Sequence, residues 1–336
     1  MIKAALVGVG DVSVVHLDAI GAIEDAELVA LVETDPERAV QARDLGVPVF
    51  DDHLEMYRSI RPDVVHVTTP HHQHAPVAVD LLEAGANVLL EKPLANSRSA
   101  ADAIIAAADK ATGKLGVCFQ NRYNASSVQL KKLIDSGELG DIKGAWANVV
   151  WTRTAEYYAR RPWRGKLAEA GSGVLINQSI HTLDLLQWLL GDVVSVAGDG
   201  TTTKFADVIE VEDTATAYIR HAGGAESTFF ATLNTPVHRP VEIEIWGSDA
   251  QARISEGLTV TFFDTGRTEF TPDQTSPTAG RSYWGYSHEL LIRDFYSQLE
   301  TDEPFWISAR EADATMHIIG EVFRSGGHLD HPLVVG

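Results

Sequence analysis

Two short runs in the chain carry residues suited to redox chemistry. Glu91-Lys92-Pro93 closes the apolar stretch 87–90, so a charged amine stands where a buried strand should simply end. Far upstream, apolar residues 4–7 meet Gly8-Val9-Gly10-Asp11-Val12-Ser13, which holds two of the three glycines of a dinucleotide fingerprint, with Ser13 in the third place. The first two glycines allow a tight turn and let backbone N–H groups approach a pyrophosphate at a helix N-terminus. Serine is small enough to leave that helix against the sheet. Together the runs suggest a lysine aimed at a nicotinamide. Partial burial and the cationic ring of an oxidised nicotinamide would both disfavour the charged form of Lys92, so it could accept a proton near neutral pH or orient an alcohol oxygen. The plainer reading is a lysine reaching solvent from a strand end. Its place beside a glycine turn favours the functional reading.

The elements that must position these runs are legible up to about residue 120. Strands are expected at 3–8, 27–33, 64–68, 87–90 and 115–119, with helices at 14–23, 36–45, 76–84 and 99–111 between them. Short β-rich runs alternating with helices imply a doubly wound parallel sheet covered on both faces. Glu33 ends the second strand about 20 residues after the glycines, where a carboxylate accepts hydrogen bonds from the adenosine ribose and repels a 2′-phosphate. NAD is therefore expected over NADP, with NADP left open because Arg38 offers a countercharge close to Thr34. Asp35 reads as a helix cap before Pro36. After the strand 64–68 come Thr69, Pro70, His71 and His74, at the edge where open parallel sheets bind ligands. Cofactor contact and helix capping explain that cluster better than a metal, since no acidic or thiol partner lies nearby in sequence. No metal is expected. The cofactor set is completed by Asp11, Val12, Glu91, Lys92 and Gln120.

Beyond about residue 122 the rhythm changes. Helices are expected at 126–136 and 177–190, each ending at a glycine, and strands at 143–153, 193–201, 213–220, 225–233, 241–247 and 251–263. Strands that follow strands favour an antiparallel or mixed sheet. A loop-like segment, 265–281, then leads to helices at 288–300 and 309–325. The expected division is 1–121 and 122–336. Within the second part, Asn177 and His181 are spaced i, i+4 and Asp184 follows three residues on, so one helix would present all three on a single face. Each has a plain alternative, a helix cap for Asn177 and a hydrogen-bonded core histidine for His181. Arg122, Trp163 and Arg164 are candidates for gripping a substrate, guanidinium on anion or vicinal hydroxyls and aromatic face on a sugar's C–H surface. Tyr157, Tyr158, Tyr283, Trp284 and Tyr286 could extend that wall.

Bulk properties narrow the function classes. With 336 residues, 45% of them hydrophobic, the chain can bury two domain cores. A formal charge of −20 repels nucleic acid and anionic membrane surfaces. Cys118 is the single cysteine, which excludes an intrachain disulfide and a cysteine-based zinc site and fits a reducing cytoplasm. Neither a signal peptide nor an apolar run of membrane-spanning length is seen, so a soluble cytoplasmic protein is expected.

Taken in order, the glycine turn, the acid after strand two, Thr69-Pro70 with His74, Glu91-Lys92-Pro93, Trp163-Arg164, and Gly171-Ser172-Gly173 leading to His181-Thr182-Leu183-Asp184 form a set. The chain resembles the Gfo/Idh/MocA oxidoreductase family, named for glucose-fructose oxidoreductase, inositol dehydrogenase and a rhizopine-catabolism protein, over essentially its whole length. The resemblance implies an N-terminal Rossmann domain and a C-terminal α+β domain with a large, open, mostly antiparallel sheet that makes homodimer or homotetramer contacts. It places the family's motif lysine on Lys92, beside nicotinamide and substrate hydroxyl, and its general base or acid on His181. The chain departs from the commonest pattern, which has Asp where Asn177 stands. Asparagine can orient a hydroxyl but cannot carry a proton, which puts two-base schemes at this position in doubt. Some nucleotide-sugar dehydrogenases of the family resemble the chain here, favouring a pyranose ring.

The expected function is an NAD(P)-dependent dehydrogenase moving a hydride between nicotinamide and a secondary hydroxyl or ketone of a sugar, cyclitol or sugar derivative. Two alternatives stand beside it. One is a glycosidase or lyase that retains NAD and oxidises its sugar transiently, and the other is a non-catalytic cofactor-sensing regulator.

Overall fold

A computed structural model describes residues 1–274 and 286–335. The described residues form two compact units, one of 1–120 with 286–313 and the other of 121–274 with 314–335.

In the first unit, β1 (Ile2–Val7), β2 (Ala26–Val32), β3 (Val49–Phe50), β4 (Val64–Val67), β5 (Val88–Glu91) and β6 (Leu115–Cys118) form one sheet. Its order is β3-β2-β1-β4-β5-β6, and all its pairings are parallel. Strands β4, β5 and β6 are buried at every residue, as expected where helices cover both faces; they are rich in Val and Leu but also bury His66, Glu91 and Cys118. The strand order reverses between β1 and β4, which opens a crevice at the carboxyl edge. The short β3 and the helix His53–Ile60 were not anticipated, a two-residue strand being too brief for a periodic signal.

The expected division into 1–121 and 122–336 needs a correction, because residues 286–313 group with the first unit. Hydrophobic contact and a strand-like bond bring them there. Phe295, on the helix Tyr286–Ser297, and Phe305 both close on Gly116 of β6, where an added Cβ would lie 2.8 and 2.9 Å from their rings. The Val117 N–H donates to Ile307 O at 3.0 Å.

In the second unit, β7 (Gly144–Val150), β8 (Val193–Thr201), β9 (Thr214–His221), β10 (Glu226–Thr232), β11 (Glu242–Trp246), β12 (Ala250–Ile254), β13 (Leu258–Phe262) and β14 (Thr268–Thr271) form a sheet ordered β14-β13-β12-β11-β7-β10-β9-β8. Only β7 and β10 pair in parallel; the other neighbours are antiparallel. Helices Ala125–Asp135 and Ile180–Leu190 cover one face. On the other face β9 and β10 carry exposed residues, alternating with buried ones along their length. The single strand expected at 251–263 is two strands, turned at Glu256 and Gly257, which both have positive φ. Residues 268–271, expected as loop, form the exposed edge strand β14, whose polar sequence carries little strand signal.

Candidate active site

The carboxyl edge of the first sheet collects the residues expected to hold a dinucleotide. Gly8 has φ +93°, donates its N–H to Val32 O at 2.8 Å, and lies so near β4 that an added Cβ would stand 3.0 Å from the Thr69 nitrogen. Both the conformation and the close approach require glycine. At Gly10 the only neighbour an added Cβ would find is Thr68 O at 3.9 Å, so the turn leaves room there. Asp11 is exposed and Val12 half-buried. Ser13 is buried and its hydroxyl donates to Gly10 O at 2.6 Å, closing the turn onto the helix Ser13–Ala22. The N-cap residue of that helix, Val12, offers no side-chain cap. A close glycine turn with open space at its second glycine, leading into a helix, fits a pyrophosphate.

Glu33 is buried and accepts from the N–H groups of Val9 at 2.8 Å and Asp35 at 2.9 Å, with Arg38 Nη1 at 3.7 Å. Thr34, between them, is exposed. Asp35 caps the helix Pro36–Ala42 by accepting from Glu37 and Arg38 N–H groups, and its carboxylate also faces Arg38 at 3.4 Å.

Two residues of the expected cofactor set turn inward instead. His74 is fully buried, with Nδ1 2.7 Å from Pro93 O and Nε2 3.1 Å from Thr69 O. Its ring therefore ties the segment after β4 to the segment after β5 rather than standing open to a ligand. Burial pushes this imidazole down to about 4, against the pull of the two carbonyls. Glu91 is also buried, its carboxylate lying 3.0 Å from His16 Nε2 and 3.2 Å from the Lys92 N–H. Lys92 itself is half-buried at the end of β5, and the Lys92–Pro93 bond is cis. Thr69 and Pro70 are half-buried, whereas His71 and Gln120 are buried.

In the second unit the helix expected at 177–190 is broken. A short helix, Val174–Asn177, ends before Gln178 and Ser179, and Ile180–Leu190 begins afresh. The Ser179 hydroxyl and N–H both return to Val174 O, at 2.7 and 2.9 Å, which interrupts the helical ladder. Asn177 thus ends one helix while His181 opens the next, both half-buried. Asn177 therefore does not share one continuous helix with His181 and Asp184, which remain i, i+3 on Ile180–Leu190. Arg122 and Asp184 are corrected more strongly. Both are fully buried, and Arg122 Nε and Nη2 lie 2.9 and 2.7 Å from the two Asp184 oxygens. A bidentate pair sealed in the core replaces the expected contact with substrate.

Trp163 and Arg164 lie on the turn Pro162–Gly165. The Arg164 guanidinium carbon stands 4.5 Å from the Tyr157 ring centre, and that of Arg153 stands 5.0 Å from it. Gln178 Nε2 donates to the Tyr157 hydroxyl at 3.1 Å. An aromatic and cationic wall therefore stands next to the Asn177 segment, with Arg153 and Gln178 as members the sequence reading missed. Tyr158 is buried in the core against Phe205 instead. Tyr283 and Trp284 lie outside the described residues.

Comparison with known proteins identifies this architecture. Residues 2–119 match the oxidoreductase family with an NAD-binding Rossmann fold, and residues 127–253 match the GFO/IDH/MocA C-terminal domain. The chain belongs to the Gfo/Idh/MocA family. Among its relatives, an inositol 2-dehydrogenase of Rubrobacter xylanophilus is 28% identical over 262 residues, covering 75% of this chain and 71% of the relative. The scyllo-inositol 2-dehydrogenase (NAD(+)) of Bacillus subtilis is 26% identical over 259 residues, 74% and 72% of the two chains. The solved WlbA dehydrogenase of Bordetella pertussis, in complex with NADH and UDP-GlcNAcA, superposes with a TM-score of 0.83 at 30% identity, covering 97% of this chain and 96% of that one. As a Gfo/Idh/MocA oxidoreductase, the chain uses its first sheet as an NAD-binding Rossmann fold.

Proposed function

We propose that the protein is an NAD-dependent dehydrogenase acting on a secondary hydroxyl, or the matching ketone, of a sugar, cyclitol or sugar derivative. The observation that carries this reading is the shared carboxyl edge of one parallel sheet, which bears the Gly8–Gly10 turn after β1, Glu33 after β2 and Lys92 after β5. Relatives named as inositol dehydrogenases, and one named with a nucleotide sugar, support the substrate class. Bound NAD supplies the hydride acceptor. Gly8, Gly10 and Ser13 form the turn that takes its pyrophosphate, and Glu33 takes the adenosine ribose and disfavours a 2′-phosphate.

Lys92 holds the reacting oxygen and lowers the cost of moving its proton. His181 carries that proton as base or acid, and Asn177 orients the ring without exchanging protons. Trp163 and Arg164 contribute to the substrate wall. The enzyme works in the cytoplasm. Its oligomer contact is the open face of the second sheet, where Trp146, Phe230 and Arg239 line one groove. The test is an NAD-reduction screen over cyclitols, aldoses, sugar acids and nucleotide sugars, read at the nicotinamide absorbance. Steady NADH formation with one class supports the reading. Sugar cleavage without net NADH would replace it with transient oxidation.

A further inference from the structure

Within the first unit, next to Lys92, a buried chain of polar side chains runs through the interior. Tyr296 Oη lies 2.7 Å from His66 Nε2, His66 Nδ1 lies 2.8 Å from His16 Nδ1, and His16 Nε2 lies 3.0 Å from Glu91 Oε1. Glu91 Oε2 accepts the Lys92 N–H at 3.2 Å, and His288 Nε2 stands 3.5 Å from Glu91 Oε1. All five side chains are buried.

With the His16 ring neutral, the ionised carboxylate sets where the protons sit. An ionised carboxylate only accepts, so His16 Nε2 carries a proton, and in a neutral ring His16 Nδ1 then accepts. His66 must therefore donate from Nδ1, which leaves its Nε2 to accept the Tyr296 hydroxyl. Every bond in the series points its donor toward Glu91, and bonds aligned in this way strengthen one another. Burial alone would raise the Glu91 carboxyl, but the bonds from His16 and His288 outweigh it and hold the group well below the usual carboxylate range. His66 is pushed well below the usual imidazole range by burial, and by His16, so its ring is neutral. Cys118 Sγ lies with His16 and Glu91 in a group whose ligand-type atoms are within 4.8 Å of one another. Burial and Glu91 push that thiol well up, so it is an S–H group bonding to the carboxylate rather than a thiolate metal ligand.

We propose that Glu91 is a positioning residue for Lys92, its carboxylate held as an oriented anion by the Tyr296–His66–His16 chain so that it fixes the backbone at Lys92 and holds a negative charge on the neighbouring residue, whose field favours the ammonium. This rests on the assignment of Lys92 to the nicotinamide. The titratable groups acting on Glu91 are His16 from the helix Ser13–Ala22, His66 from β4, His74 from the helix His74–Glu83, Cys118 from β6 and His288 from the helix Tyr286–Ser297, while Lys92 meets it through its main-chain N–H.

The test follows NAD+ affinity against pH, with NADH as control. A protonated Lys92 repels the cationic nicotinamide of NAD+ but not NADH, so NAD+ binding strengthens as Lys92 loses its proton. Removing the Glu91 charge disfavours the ammonium, so Glu91→Gln is expected to move that midpoint down by about one pH unit, while Glu91→Asp leaves it near the wild-type value. An unmoved midpoint in Glu91→Gln would overturn the proposal. Lys92→Ala separates the two readings, because a midpoint that persists without Lys92 refutes the assignment of Lys92 instead. Independently of any variant, the imidazole 15N spectrum of the wild-type protein is expected to show His66 protonated at Nδ1 and His16 at Nε2. A His66 protonated at Nε2 would require a cationic His16, whose charge offsets that of Glu91, and would sink the proposal.

Discussion

The Glu33 carboxylate accepts the main-chain N–H of Val9 at 2.8 Å, so the residue that ends β2 braces the glycine turn that follows β1. One side chain therefore both shapes the turn and faces the expected ribose position. Glu33→Ser is predicted to weaken NAD binding by about tenfold, the scale of one or two lost charge-assisted bonds, and to raise the relative affinity for NADP. Dissociation constants for both cofactors check this. An unchanged ratio between them would remove Glu33 from cofactor selection.

Lys92→Ala should lower turnover roughly a hundredfold or more while leaving the dissociation constant for NADH within about threefold of wild type. Steady-state kinetics on the substrate found by screening, together with NADH fluorescence titration, separate the two effects. Wild-type turnover in this variant would refute the role.

Arg122 and Asp184 make a stability prediction. Asp184→Ala leaves a guanidinium buried without its carboxylate, which should cost about 3–5 kcal/mol in urea unfolding. Replacing both partners with Met and Leu should recover most of that loss, since apolar residues of similar volume need no partner. If the single and double variants lose the same stability, the pair contributes only packing.

The buried histidines predict an acid-sensitive fold. His66, His74 and His288 all have imidazoles pushed below the ordinary value of 6.5 by burial, His74 to about 4. The unfolded chain therefore takes up these protons first. Their stabilisation is whole above about pH 6.5 and drains away as the pH falls, the His74 share levelling off near pH 4. Thermal unfolding followed from pH 7.5 to 4.5 should show a falling Tm, with a shallower slope in His74→Asn. Equal slopes would show that His74 does not contribute.

The local sequence pattern was enough to place β1, β2, β4, β5 and β6 within one residue and the helices Ser13–Ala22 and His74–Glu83 within two, while Pro36–Ala42 and Arg98–Ala108 end three residues before the expected positions. Alternation between apolar runs and helical spacing is a short-range property, and a glycine turn is legible wherever backbone geometry excludes a side chain. Brief or polar elements escaped it, as β3 and β14 show, because two exposed or isolated residues do not establish a period.

What the sequence alone determined is the doubly wound class, the carboxyl-edge set of Gly8, Gly10, Glu33 and Lys92, and the family. Tertiary structure decided which charged groups are turned inward. Glu91 meets His16 across the first sheet, His288 and Tyr296 join that chain only because a helix from the far end of the sequence returns to the first unit, and Arg122 is claimed by Asp184 in the core of the second unit. A charged residue in a sequence reads the same whether it faces substrate or a buried partner. The difference is set by contacts between positions tens to hundreds of residues apart, and by the desolvation that makes each buried charge seek its partner.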